Sequence, residues 1–330
     1  MSEKKIDVII PAYKAQHTII RALGSLLCQS ILPDVKVTIV NDADPTGDYA
    51  EFVERFSPYM EIQELKMEVN GGPGVARQYG IDHTKAKYFT CIDADDAFSS
   101  PYALQRLVYE LDNDPTIIMN VGVFAEDHGD MTFLQHPNDM VWMFGKMYRR
   151  DFIKRYNIHF NETRANEDNG FNSTIRLLVS PNEKVNFIGD LVYFWYYKED
   201  SITRINNAEY SYNQSFPGYT INMIDSVKNS RKYKPFNPDI DMWAISNMAK
   251  LYNYYLQTVA RDPRFKEQNF ESCVLYYKEI FEDMEKKYTK EQLNPLFAEV
   301  FVGQAQSMQG IVPEWTIYEF IDLLREAANK

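Results

Sequence analysis

The stretch YFTCIDADDAFSSP, residues 88–101, sets Asp93, Asp95 and Asp96 within four positions directly after an apolar run. Carboxylates this close repel one another, so the cluster requires either water or positive charge among them. In the spacing D-x-D, with Ala94 between, two side chains can converge on one hard divalent cation, which then bridges a diphosphate. A solvated acidic loop is the commoner explanation of such a cluster taken alone. Its position at the end of a buried strand favours the metal. Asp96 is read as structural.

A second acidic pair, Glu167 and Asp168 in FNETRANEDNGF, follows Asn166, a residue type that caps helices. Both acids then fall in a first helical turn, where negative charge is favourable, and on local context alone Asp168 is an ordinary acid of that kind. His17, His83, His128, His136 and His159 share no ligand spacing. Cys28, Cys91 and Cys273 are an odd number without CxxC spacing, which reads as reduced thiols rather than a disulfide framework or zinc site.

The segments that must carry these side chains alternate between two periods. Residues 5–10, 35–40, 61–67, 87–92 and 116–124 read as strands, separated by stretches of helical spacing such as Ile19, Leu23, Leu26 and Leu27. Near-continuous apolar strands alternating with helices imply a mainly parallel α/β sheet. Ligands of such sheets bind beyond the carboxyl ends of the strands. Those ends read PAYK, NDAD, VNGGPGVAR and DADD, one composite polar edge. No GxGxxG follows the first strand and no GxxxxGK[ST] occurs, against a dinucleotide fold and a P-loop.

Farther on, residues 143–156 have helical spacing, and KVNFI and LVYFWYY read as two strands. Beyond Ile205 the chain turns helical, with Met242, Ile245, Ala249, Tyr252, Leu256 and Val259 on one face and Pro313 at a helix start before Trp315. The expected division is residues 1–205 and 206–330. The formal charge of −12 gives no bulk attraction for nucleic acid, although RKYKPF (231–236) is a local basic patch. No run approaches the roughly 18 apolar residues of a spanning helix, and the N-terminal apolar run is too short for a signal peptide. The expectation is a cytoplasmic protein, soluble or peripherally membrane-associated.

VIIPAYKAQHTIIRALGSLLCQS, VTIVNDAD, NGGPGVARQYGI, YFTCIDADDAF and FNETRANEDNGF, in this order, resemble family 2 glycosyltransferases of the GT-A fold, over roughly residues 5–205. The resemblance implies a mainly parallel sheet with helices on both faces, and here a mostly helical C-terminal region. It also implies a nucleotide-sugar site. Pro11, Ala12 and Tyr13 match the segment along the base, with Tyr13 suited to stacking. Asp42 matches the acid that accepts the uracil imide hydrogen. The position before it is often Asp in the family and is Asn41 here. Asn70 and Arg77 match the polar pair of the third loop. Asp93 matches the ribose-binding acid, Ala94 lies between, and Asp95 matches the metal ligand. Asp168 matches the catalytic base. Lys146 and Arg204 flank the base in family-like segments and are candidates to touch acceptor or diphosphate.

The implied activity is inverting transfer of a hexosyl or N-acetylhexosaminyl group, from a probe-able donor class of UDP-linked sugars, with Mn²⁺ or Mg²⁺ on Asp95. The acceptor is a hydroxyl of a glycan, teichoic acid or protein, with a modified DNA base disfavoured by the net charge. Two alternatives stand beside it. A sugar nucleotidyltransferase shares the sheet and the metal, but the first-strand loop lacks its Gly-rich basic segment. A non-catalytic sugar-binding module would have no reason to keep both DAD and ED. The amphipathic helices beyond residue 205 are assigned to acceptor recognition or homo-oligomerisation.

Overall fold

In chain order the strands are β1 (Ile6–Ala12), β2 (Val35–Asn41), β3 (Glu61–Lys66), β4 (Tyr88–Cys91), β5 (Ala97–Phe98), β6 (Ile117–Asp127), β7 (Phe133–His136), β8 (Lys146–Arg149) and β9 (Lys184–Trp195). Strands β1, β2, β4 and β6 form where apolar residues are buried on both faces, while β3 and β7 are only partly buried or exposed. This computed structural model describes residues 4–198 and 215–330. The first four strands pair in parallel in the order β3-β2-β1-β4, as the α/β reading requires. Beyond β4 the sheet is mixed: β8 runs antiparallel between β4 and β6, β9 is parallel to β6, and β5 and β7 pair antiparallel to β9 and β6.

Helices cover both faces. Helices α1 (Ile19–Leu27), α2 (Ala50–Phe56) and α4 (Ala103–Asn113) share one core with Ile6, Val8, Ile10, Val37 and Ile39. Helix α3 (Pro73–Asp82) lies against the alternate side chains Ile9 and Val40. It approaches closely because residue 80 is glycine: a Cβ there would stand 2.6 Å from Ile9 Cγ2 and 3.1 Å from Val40 Cγ2.

Two elements differ from their sequence expectation. Residues 143–156 were expected to be one helix. They form β8 followed by the short helix α5 (Arg150–Arg155), because every residue from Met143 to Tyr148 is buried, which suits a central strand. The two expected strands KVNFI and LVYFWYY are one continuous β9, with shifts in its register against β6 in place of a turn at Gly189–Asp190.

The chain divides into two compact units, Met1–Arg164 with Val179–Arg204, and Ala165–Leu178 with Ile205–Lys330. The 205/206 boundary read from the sequence lies outside the described residues, as does Arg204. Helix α6 (Glu167–Leu178) groups with the C-terminal helices, although it precedes β9 in the chain. Its companions include α7 (Phe216–Tyr233), α8 (Pro238–Arg261), α9 (Lys266–Tyr276), α10 (Glu282–Lys287), α11 (Lys290–Gly303) and α12 (Ile317–Ala328), packed on Ile240, Ile245, Met248, Leu251, Phe281 and Phe320. Met242, expected on the apolar face of α8, is exposed. Helix α12 begins at Ile317 rather than near Pro313, because Thr316 and Glu319 form a reciprocal capping box. Among the described residues no helix is long and apolar enough to cross a membrane.

The sheet unit is tied by one buried ion pair. Arg150, 2% exposed, donates to Asp7 Oδ2 at 2.8 Å, to Thr84 Oγ1 at 3.0 Å and to the carbonyls of Ala86 and Ile81 at 2.6 and 2.7 Å. Asp7 also accepts from the Ala86 N–H. Removing one partner strands a charge in the interior. Arg150→Met is therefore expected to destabilise the protein by about 3–5 kcal/mol in denaturant unfolding, and a loss under 1 kcal/mol would show that the pair does not brace the sheet.

Candidate active site

The carboxyl ends of β1, β2 and β4 carry most of the residues singled out from the sequence. At β1, Pro11 and Ala12 close the strand and Tyr13 is 44% exposed, with the Lys14 ammonium 5.2 Å from its ring centre. A face so exposed is free to take a planar ring.

At β2, Asp42 is buried and braces the loop that follows β3. Its carboxylate accepts from Asn70 Nδ2 at 2.9 Å, from the Gly71 N–H at 2.7 Å and from the Gly72 N–H at 2.8 Å. Gly72 has φ +86°, a backbone that side chains disfavour, and this turns its N–H toward the carboxylate at the start of α3. Burial raises the Asp42 pKa above the ordinary carboxylate value, opposed by those two N–H groups and by Arg164. Arg164, missed in the sequence although it lies within FNETRANEDNGF, donates to Asn70 Oδ1 at 2.5 Å and to the Asn70 carbonyl at 3.2 Å. Asn70 is thus held from both sides.

Asn41, the departure from the family pattern, has a local reason. Its Nδ2 donates to Glu64 Oε1 at 2.9 Å, and its Oδ1 accepts the Asp44 N–H at 2.8 Å. An aspartate could not make the first bond. Asp44, also missed, links the first two strand ends: it accepts from the Lys14 N–H, from Gln16 Nε2 at 3.0 Å and from Tyr49 Oη at 2.7 Å. Burial works against its ionisation, yet these donors and Thr46 prevail and depress its pKa. The signal was present, as the second acid of NDAD.

At β4 each of the three crowded aspartates meets its own surroundings. Asp93 accepts from Arg77, which is 5% exposed, at 2.7 Å. Asp96 is sealed in: Tyr193 Oη donates to it at 2.7 Å and the Tyr196 N–H at 2.9 Å. Burial, then the charges of Asp93 and Asp95, push its pKa well up. Asp95, beside Ala94, is half-buried, with Lys198 Nζ 3.7 Å from its carboxylate. Its carbonyl accepts from Arg21 at 2.6 Å, and that guanidinium lies 4.3 Å from the Tyr196 ring centre. Burial and Asp93 raise the Asp95 carboxyl above its usual range, against Lys198 and Arg21. Arg21 and Tyr193 carry no motif of their own, and periodicity alone assigns them to a helix and a strand; Tyr196 and Lys198 stand in the family-like segment YYKEDSITR, of which only Arg204 was singled out.

Two other candidates belong to other elements. Lys146, read as touching substrate, is fully buried and pairs with Asp139 at 3.0 Å. Asp168 opens α6 in the helical unit, where its Oδ1 accepts the Asn169 N–H at 2.7 Å. Asn166, expected to cap that helix, instead has φ +60° and donates its amide to Ser215. Burial pushes the Cys91 thiol up to about 12, which makes it a poor nucleophile.

No group of three His, Cys, Asp or Glu side chains suited to a metal occurs among the described residues. The described residues therefore form no cage of their own for an ion. A magnesium-like ion needs only one or two carboxylates when substrate phosphates supply further oxygens. Asp95, half-buried and with only the longer 3.7 Å pairing to Lys198 at its carboxylate, fits that requirement.

Residues 7–165 match the model of Glycosyl transferase family 2. It is the family that the chain's motifs resemble. The chain is 27% identical over 227 residues to the uncharacterized glycosyltransferase EpsJ of Bacillus subtilis (strain 168), covering 61% of this chain and 63% of that protein. It is 24% identical over 210 residues to the poly(ribitol-phosphate) beta-N-acetylglucosaminyltransferase TarS of Staphylococcus aureus (strain MW2), covering 59% of this chain and 36% of TarS. Residues 1–349 of S. aureus TarS, solved with UDP-GlcNAc, superpose with a TM-score of 0.69 at 16% identity over 92% of each chain. The mannosyltransferase PcManGT of Pyrobaculum calidifontis, solved with GDP-Man and Mn²⁺, gives 0.53 at 13% identity over 100% of this chain and 88% of that one. The fold is the GT-A fold.

The Asp42 brace yields a direct test. Asp42→Asn turns one acceptor oxygen into a donor facing N–H groups and is expected to cost about 1–3 kcal/mol in denaturant unfolding. Faster amide exchange at Gly71 and Gly72 should accompany it. Unchanged stability and exchange would show that the loop does not depend on this carboxylate.

Proposed function

We propose that this protein is a metal-dependent, inverting glycosyltransferase that moves a hexosyl or N-acetylhexosaminyl group from a UDP-linked sugar to an acceptor hydroxyl. The observation that carries this reading is the unequal treatment of the three aspartates at β4. Asp93 is held by Arg77 and Asp96 by two tyrosines, while no other described residue donates a hydrogen bond to the Asp95 carboxylate. That leaves one carboxylate at the edge of a nucleotide-binding sheet to meet a cation. The family match and the likeness to a fold solved with UDP-GlcNAc support the donor class.

In this reading Tyr13 stacks on the base, Pro11 and Ala12 line it, and Asp42 and Asn70 shape the loop beside it. Arg77 fixes Asp93 to receive the ribose hydroxyls. Asp95, beside Ala94, holds Mn²⁺ or Mg²⁺, which when bound neutralises charge on the leaving diphosphate. Asp168 accepts the proton of the acceptor hydroxyl as that oxygen bonds to the anomeric carbon. The bond from that carbon to the diphosphate oxygen breaks on the opposite side, so configuration inverts and UDP leaves. Residues 1–205 serve as the transferase domain and 206–330 as acceptor-binding or self-associating helices. TarS, named for a poly(ribitol-phosphate) acceptor, suggests a teichoic-acid-like polyol phosphate for this chain too. The three free cysteines suit a reducing compartment, the cytoplasm.

A panel of UDP- and GDP-sugars, with and without Mn²⁺ or Mg²⁺, tests the donor through nucleotide release. UDP release that requires the ion is expected, and binding of no nucleotide would overturn the reading. Asp168→Asn should keep UDP affinity while lowering turnover by about 10²–10⁴-fold; near-normal turnover would remove Asp168 as the base. Asp95→Asn should abolish the difference in UDP affinity, measured by calorimetry, between ion-containing and ion-free buffer.

A further inference from the structure

Within the helical unit, charge crowds with the opposite sign. Trp243 of α8 is approached by two cations, the Arg176 guanidinium of α6 at 5.2 Å and the Lys250 ammonium of α8 at 4.6 Å from the ring centre. Nearby cations of this unit have acids of their own: Arg231 and Lys287 pair with Asp241, Lys228 with Glu279 and Arg325 with Glu285. Among the described residues, neither Arg176 nor Lys250 has a carboxylate within ion-pairing distance, and the indole face is their shared contact. Arg176 is exposed, while Lys250 and Trp243 are half-buried, so the cluster opens to solvent on its Arg176 side. Burial and then the Arg176 charge lower the Lys250 pKa, with Glu299 of α11 the weaker opposing influence.

We propose that Arg176, Trp243 and Lys250 form a subsite for a phosphodiester group of an anionic acceptor chain. A planar guanidinium fork and a point ammonium charge together suit the several oxygens of a phosphate. With a net charge of −12, the protein repels an anionic chain in bulk, so such an acceptor needs a local positive site. The placement of the cluster argues for a chain rather than a free ion. Arg176 stands eight residues after Asp168 on α6, about 12 Å along the helix axis. A phosphate held at Arg176 while a hydroxyl meets Asp168 must therefore belong to an extended ligand of more than one repeat. The subsite rests on the transferase reading above and adds to it the chemistry of the acceptor.

The test uses the full chain and a defined glycerol-phosphate hexamer, with inorganic phosphate and a neutral glucan hexasaccharide as controls. The indole N–H signal of Trp243, assigned with Trp243→Phe, is followed by NMR during titration, and UDP affinity is measured on the same samples. The hexamer is expected to shift that signal and to bind at least tenfold more weakly to Arg176→Gln. Its binding should also fall as salt rises, and UDP affinity should not change. Arg176 is exposed, so this variant keeps its fold; Lys250→Gln provides the second arm. A Trp243 signal unmoved by the hexamer in a protein that binds UDP overturns the subsite and leaves the transferase reading standing. So does equal binding by Arg176→Gln, by the neutral glucan or by inorganic phosphate. Failure to bind UDP strikes the transferase reading instead.

Discussion

Three carboxylates at the end of one buried strand are the constraint around which the sheet unit is arranged. Left together they would repel, and the fold separates their fates. Arg77 reaches Asp93 from α3, so the helix that buries Ile9 and Val40 also delivers the neutralising charge. Tyr193 of β9 binds Asp96 and also accepts the Asp93 N–H, linking a strand from the far half of the sheet to the tip of β4. Asp95 receives the least from the protein. Its nearest cation is Lys198, 3.7 Å away, and burial with the Asp93 charge holds its pKa above the ordinary carboxylate value.

The parallel half of the sheet was legible because β1, β2 and β4 are apolar on both faces and end in polar clusters. The mixed half was harder. Residues 143–148 are buried throughout, and a short apolar run fits a helix and a central strand equally well. Gly189 and Asp190 resemble a turn, yet shifted pairing with β6 accommodates them within one strand. Local signals say little about which neighbour a strand will find.

The site was legible in its acids and much less so in their partners. Asp42, Asp93 and Asp95 stand in short motifs, whereas Arg21 and Tyr193 stand in none, and Arg164, Tyr196 and Lys198 lie in family-like segments that do not say which acid they meet. Their roles follow from topology. In the helical unit the apolar face of α8 was readable from its period, but Met242 fell outside it. The start of α12 was written in Thr316 and Glu319, a spacing that Pro313 obscured. The grouping of α6 with the helices from Phe216 onward could not be inferred from order, because β9 intervenes.

The Asn41 amide bridges Glu64 and the backbone of Asp44, and so joins the rims of β2 and β3. Positions 41 and 64 are consequently a coupled pair. An aspartate at position 41 would set two carboxylates face to face and would call for glutamine at position 64 as well.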